Sequence, residues 1–153
     1  MDEQTKKTDT VHKILAHSYS LYLGALLLGL LLDFFFPQKF FGDALMVKVG
    51  VVCLGFATAL IVWAQATSRN LGIDNLSKDT FARGPYKVSR TPTHWGLFLL
   101  VLGFGIISNA FFIVVLSVVC FVVTKLVFIK KQEEILEQKY GEAYSAYKKS
   151  VRF

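Results

Sequence analysis

GPYKVSRTPTHWG, residues 84–96, separates two apolar halves of the chain and holds its densest group of special residues. Gly84-Pro85 marks a turn, because glycine tolerates unusual backbone angles and proline fixes φ near −65°. Pro92 stands just before a new apolar run, where a helix can start without the N–H that proline lacks. Thr91 sits where an N-cap belongs. Arg90 and His94 flank this start, so polar side chains gather at the edge of a hydrophobic segment. Such chemistry is either interfacial anchoring or a site.

Outward from this stretch, the composition sets the class. Of 153 residues, 54% are hydrophobic and only 18% charged. The charges gather at the two ends and in one loop. This pattern reads as a membrane protein, an all-α one with four transmembrane helices in a single membrane domain. The formal charge of +6 does not imply a nucleic-acid partner, since cations beside membrane spans are expected on the cytoplasmic side. Cys53 and Cys120 lie in apolar runs without metal-ligand spacing and read as packing residues, so no metal is expected.

From the start of the chain, residues 1–10 are polar and read as frayed. The run 18–36 is long enough to span and is read as a retained helix, with Asp33 near its far end at the interface and Pro37 ending it. A short aromatic connection, 37–43, carries Phe40 and Phe41. A second span covers 44–67, where Lys48 can snorkel and Gly50 and Gly55 permit close approach. Gln65 near its end serves either a helix–helix hydrogen bond or a ligand. Residues 68–89 form the longest polar connection, without a glycine-rich phosphate loop.

The third apolar segment, about 93–108, is short, roughly 22 Å as helix against a hydrocarbon core of roughly 30 Å. Gly96 and Gly103 share a face and favour tight packing on a neighbour. Ser108-Asn109 makes a turn, and 110–129 returns as a fourth span. These two spans read as a tight hairpin, and the contact of Gly103 is expected inside it. Lys125, in the last turns of the fourth span, either snorkels or faces a polar cavity.

The tail, 130–150, reads as an amphipathic cytoplasmic helix. Leu136, Tyr140, Tyr144, Tyr147 and Val151 recur at spacings of three and four, and Gly141 weakens the helix where it stands. Glu133 and Glu137, like charges at i,i+4, call for a cationic partner. Periodicity alone leaves a second option open, a solvated helix on the membrane surface. Basic residues precede the first span (Lys6, Lys7, Lys13), fill the long loop and follow the fourth span. Four spans place all three groups on one side, so both termini are expected in the cytoplasm. The loop and the tail then share a membrane face.

Gly84-Pro85-Tyr86, Arg90-x-Pro92, Gly96, the apolar hairpin, Glu133 and Tyr140-Gly141-x-x-Tyr144-x-x-Tyr147 resemble the isoprenylcysteine carboxyl methyltransferase and phospholipid methyltransferase superfamily. The order and spacing match over about 84–152. The family's usual Arg-His-Pro-x-Tyr reads here Arg90-Thr91-Pro92-Thr93-His94, with threonine for the histidine and histidine for the tyrosine. Trp95-Gly96 is nearer the phosphatidylethanolamine branch.

The resemblance implies an integral membrane enzyme that uses S-adenosylmethionine (SAM), bound at the cytoplasmic ends of the last two spans. It implies a lipidic or lipidated methyl acceptor drawn from the membrane. Arg90 and Glu133 become the candidate catalytic pair. Tyr86, Arg90, Thr91, Pro92, His94, Glu133 and Glu134 become candidate cofactor contacts. A carboxylate can accept hydrogen bonds from a ribose diol or an ammonium, and an arginine can grip a carboxylate or phosphate through two bonds. His94 is equally a polar ring at the interface, and Thr91 equally a cap. Two other classes stand beside the enzyme. One is a family-like binding or scaffold protein without turnover, suggested by the missing histidine. The other is a small transporter, for which Lys125 alone is a candidate for a central ionisable group in the spans. Sequence leaves the oligomeric state open.

Overall fold

The computed structural model describes residues 3–39, 42–69 and 82–151, and every regular element among them is helical. Helix α1 runs Glu3–Phe35 and α2 runs Ala44–Arg69. A 3-10 turn, Gly84–Lys87, leads into α3, Pro92–Ile107. Helix α4, Phe111–Val123, continues through a π-helical segment, Thr124–Phe128, into α5, Ile129–Ser150. Helix α1 already begins at Glu3, within the stretch expected to fray, because the polar start continues the helical path of the apolar run. Phe40, Phe41 and residues 70–81 lie outside the described residues.

Among the described residues, three stretches are long and apolar enough to cross a membrane: Ala16–Phe35, Ala44–Ser68 and Phe111–Gln138. The last is longer than the fourth span expected from sequence. The π segment carries the helix across the apolar-to-charged boundary near residue 130 without a break. Helix α3 has 16 residues, about 24 Å of rise, shorter than the other three. Leucine, valine and phenylalanine side chains stand exposed along α1, α2 and α4. This is how a helix meets lipid, where burying an apolar surface brings little further gain.

Glycine sets the closest approach, between α2 and α3. A methyl group at Gly103 would come within 2.9 Å of the Gly50 carbonyl oxygen and 3.1 Å of Cys53 Cβ, and one at Gly96 would run into Ile61. The seam of Gly96 and Gly103 therefore faces α2, not α4 as the sequence suggested. A seven-residue spacing defines a face but not the neighbour that fills it. Against α4, α3 uses Gly105 instead, where a methyl group would meet Ile113 and Val114 at 3.0 Å.

The α3–α4 turn is built by Asn109, whose φ of 51° is left-handed. The Asn109 N–H donates to the Ile106 carbonyl and the Ala110 N–H to the Gly105 carbonyl, the paired bonds of a Schellman close. Helix α4 then starts without a cap from Ala110. Asp33 of α1 supplies one from 79 residues away: its carboxylate oxygens accept from Phe112 N at 3.2 Å and Ile113 N at 3.3 Å. Two otherwise unpaired N–H groups gain an anionic acceptor at the positive end of the helix dipole. Gln65 likewise turns out to serve a helix contact, with the Tyr19 hydroxyl of α1.

Candidate functional site

The α3–α4 turn brings the chain back, so that the start of α3 and the start of α5 lie side by side. Arg90 Nη1 stands 2.6 Å from Glu133 Oε1, and both side chains are largely withdrawn from solvent. This approach is an ion pair by distance without hydrogen-bond alignment, since among the described residues Nη1 and Nε of Arg90 find no hydrogen-bond partner. Glu133 Oε2 meets Lys148 Nζ at 3.1 Å, and the same ammonium reaches Glu137 Oε1 at 3.0 Å. Lys148 is thus the cation that the Glu133–Glu137 spacing called for.

Spacing could not have named Lys148. It is eleven residues beyond Glu137, roughly 16 Å along a straight helix. The contact exists because Gly141 breaks α5 with φ 55° and ψ −130°. An L side chain rarely adopts that backbone, and glycine adopts it freely. Beyond this joint the tail docks on the loop before α3. Tyr144, Tyr147 and Val151 are buried against Ala82 and Tyr86, and the Tyr147 hydroxyl donates to the Tyr86 carbonyl at 2.7 Å. The helical stripe is accordingly a packing face, not a solvated surface. Burial raises the phenol of Tyr147 from 10.0 to about 12, and raises those of Tyr86 and Tyr144 as well. Hydrogen bonds to Glu137 and then Glu133 raise the Lys148 ammonium above its ordinary 10.5.

A cavity of about 90 Å³ opens between Arg90, Thr91, Trp95, Lys125, Ile129 and Glu133, with Phe121 at its wall. Trp95 packs against Phe121 in a tilted contact, with ring centroids 4.7 Å apart. Lys125 lines this cavity while remaining exposed, so of the two roles open to it the cavity is the one the contacts describe. Thr91 stands at the N-cap position of α3 but makes no side-chain capping bond. Its N–H donates to the Ser89 hydroxyl at 3.2 Å, and its carbonyl accepts from His94 and Trp95. Pro92 is buried at the first helical position.

The other candidates stand around this core rather than in it. His94 is 2% exposed. Its Nε2 lies 3.4 Å from Gln132 Oε1, a long contact that ties α3 to α5 one residue before Glu133. Its Nδ1 has no hydrogen-bond partner among the described residues. Tyr86 bonds through its hydroxyl to Thr93 and Ser68, which fastens the loop to both α2 and α3. Glu134 is exposed. Arg90, Thr91 and Glu133 share the cavity, while Tyr86, Pro92 and His94 hold its frame. Among the described residues, no group of three or more His, Cys, Asp or Glu could hold a metal ion.

A family model described as phospholipid methyltransferase matches residues 38–143, well over half of the chain. The chain belongs to the phospholipid methyltransferase family. Membership fits a helical, membrane-embedded protein whose polar residues meet at one end of its apolar helices, and it makes the chain a membrane methyltransferase by family. The matched region takes in α2, the loop, α3, α4 and the first two thirds of α5. It includes Arg90 and Glu133 and stops before Tyr144, Tyr147 and Lys148. A comparison with curated proteins and one with solved structures gave no match.

Proposed function

We propose that the protein transfers a methyl group from SAM to a membrane lipid or lipidated acceptor, at the cavity between Arg90 and Glu133. The observation that carries this reading is the meeting of these two residues, 43 positions apart in sequence, beside a cavity at the N-terminal end of α3. Basic residues around the loop and tail support a cytoplasmic location for this end and for both termini.

The fit of SAM rests on a donor without a partner. Nη1 of Arg90 is already taken up by Glu133, but among the described residues its Nε is buried with no hydrogen-bond partner, which is costly unless a ligand or water answers it. A carboxylate on the Nε edge of the guanidinium would satisfy it. Glu133 would take the ammonium or the ribose hydroxyls. A cavity of about 90 Å³ is below the roughly 300–1,000 Å³ usual for a small-molecule pocket. It therefore suits one polar end of SAM.

When bound, SAM supplies an activated methyl group on a sulfonium centre. The chain's own part is to hold and align. Arg90 and Glu133 fix the polar end, Trp95 and Phe121 keep water from one side, and Lys125 offers a cation to an anionic acceptor. Alignment of this kind provides much of the advantage in a two-substrate transfer.

Two observations favour a second reading, binding without turnover. Lys148 already occupies the free oxygen of Glu133, and threonine stands at position 91. Incubation with methyl-labelled SAM and a total lipid extract separates the two. A labelled lipid is expected from the enzyme, while SAM binding without any labelled product would support the scaffold.

A further inference from the structure

Glu133 is held from two sides. On the inner side it lines the cavity with Arg90 and takes the guanidinium on Oε1. On the outer side Oε2 is held at 3.1 Å by Lys148, which belongs to the tail and not to the cavity wall. Lys148 reaches this place because α5 breaks at Gly141. On a straight α5 the two residues would stand roughly 22 Å apart along the axis. The family match ends at residue 143, so the outer contact is made by a part of the chain beyond it.

We propose that the tail beyond Gly141 is an autoinhibitory strap, in which Lys148 competes with the cationic end of SAM for the Glu133 carboxylate. The strap rests on the SAM reading of the site and gives that site its regulation. Tail docking and cofactor binding oppose each other through Glu133.

Four observations carry it. Lys148 presents an ammonium, the same group as the amino end of SAM. SAM sets a sulfonium and an ammonium against one carboxylate, so it is a net cation, and an ammonium already on Oε2 repels it. Lys148 also has a second seat, Glu137 Oε1 at 3.0 Å. It therefore stays paired when Glu133 is given up, and no charge is stranded by the exchange. The contact is exchangeable, since the Lys148 side chain is 35% exposed and an ion pair open to water contributes little stability. Finally, the docked tail depends on a backbone that only glycine holds freely. Gly141 has φ 55° and ψ −130°, yet a methyl group there would meet nothing within 4 Å. The bend requires the glycine, and crowding does not. That bend carries Tyr144 and Tyr147 onto Tyr86 as well as Lys148 onto Glu133.

The test is SAM affinity, measured by calorimetry in detergent, in two variants that loosen the strap by different means. Lys148→Met removes the competing charge, and Gly141→Ala penalises the bend without a clash. Lys149→Met is the control, the same loss of charge on an exposed side chain one residue on. Lys148→Met and Gly141→Ala should each bind SAM about fivefold more tightly than the wild type, the lower end of usual couplings between sites. Lys149→Met should match the wild type. Wild-type affinity in both strap variants would overturn the strap and leave SAM binding standing. Weaker binding in Lys148→Met would also overturn it, because Lys148 would then be holding the cofactor.

Amide exchange in residues 144–150 reads the same coupling from the tail, because a coupling between two sites is reciprocal. Saturating SAM should speed exchange there in the wild type, and Gly141→Ala should exchange fast without SAM. Slower exchange with SAM would overturn the strap, since the tail would then close over the cofactor. SAM binding by the strap variants but not by the wild type would support it. SAM binding by none of the three would overturn the cofactor reading and the strap with it.

Discussion

Arg90 and Glu133 are the residues on which the account turns. Their meeting was legible in the sequence because a short turn at Ser108-Asn109 joins two apolar runs, and such a turn must return the chain to its starting face. Lys148 was not legible, because one backbone angle at Gly141 sets its position and periodicity carries no sign of a reversal. His94 was legible as a residue near the site, but its contact with Gln132 was not, since a single glutamine on a charged helix looks solvated. Arg90→Lys tests the residue pair. Lysine keeps the charge but lacks the planar fork, so it can pair with Glu133 while failing to grip a carboxylate. SAM affinity should fall severalfold in Arg90→Lys with thermal stability nearly unchanged, measured by calorimetry and by unfolding in detergent. Equal affinity would mean that Arg90 is a positioning partner of Glu133 and touches no ligand.

At the scale of the element, two joints and a docked tail hold the site in place. Gly103→Leu should destabilise the α2–α3 seam, because its side chain would be forced onto the Gly50 carbonyl and Cys53. Overpacking of this kind costs about 1–3 kcal/mol, and the melting temperature in detergent should drop accordingly. An unchanged melting temperature would mean that the seam opens freely. The sequence indicated the right face here and the wrong partner. Asp33 was read as an interface residue, because nothing local announces a cap for a helix 79 residues away. Asp33→Ala should remove that cap at a cost of about 0.5–2 kcal/mol, again read as a lower melting temperature. The tail has its own signature in pH. Tyr147 carries a folded-state value raised from 10.0 to about 12, and Tyr144 and Lys148 are raised too. A raised value means that the protonated form is the one folding prefers. The stabilisation is therefore complete below about pH 10 and is lost as pH rises toward 12. Tyrosinate absorbance from Tyr144 and Tyr147 should appear late and together with tail release. Titration of both near pH 10 would contradict the docking.

For the whole molecule, the apolar runs made the helical membrane class plain, and the order of small motifs pointed to the family. Sequence could not say how α3 meets the bilayer, because 16 residues are short for a crossing and long for a loop. Four crossings with both termini cytoplasmic remain the arrangement that the basic residues favour. Reporter fusions after Lys7, within residues 37–43, within residues 76–82 and after Phe153 should report cytoplasm, outside, cytoplasm and cytoplasm. A cytoplasmic signal from residues 37–43 would contradict this topology. The central claim is that this end of the molecule binds SAM through Glu133, and Glu133→Gln tests it most directly, since shape is kept while charge and acceptor strength are lost. A hydrogen bond to a charged group contributes roughly 1.5–3 kcal/mol, so SAM affinity measured by calorimetry should fall about ten- to a hundredfold. Wild-type affinity in Glu133→Gln would contradict the account.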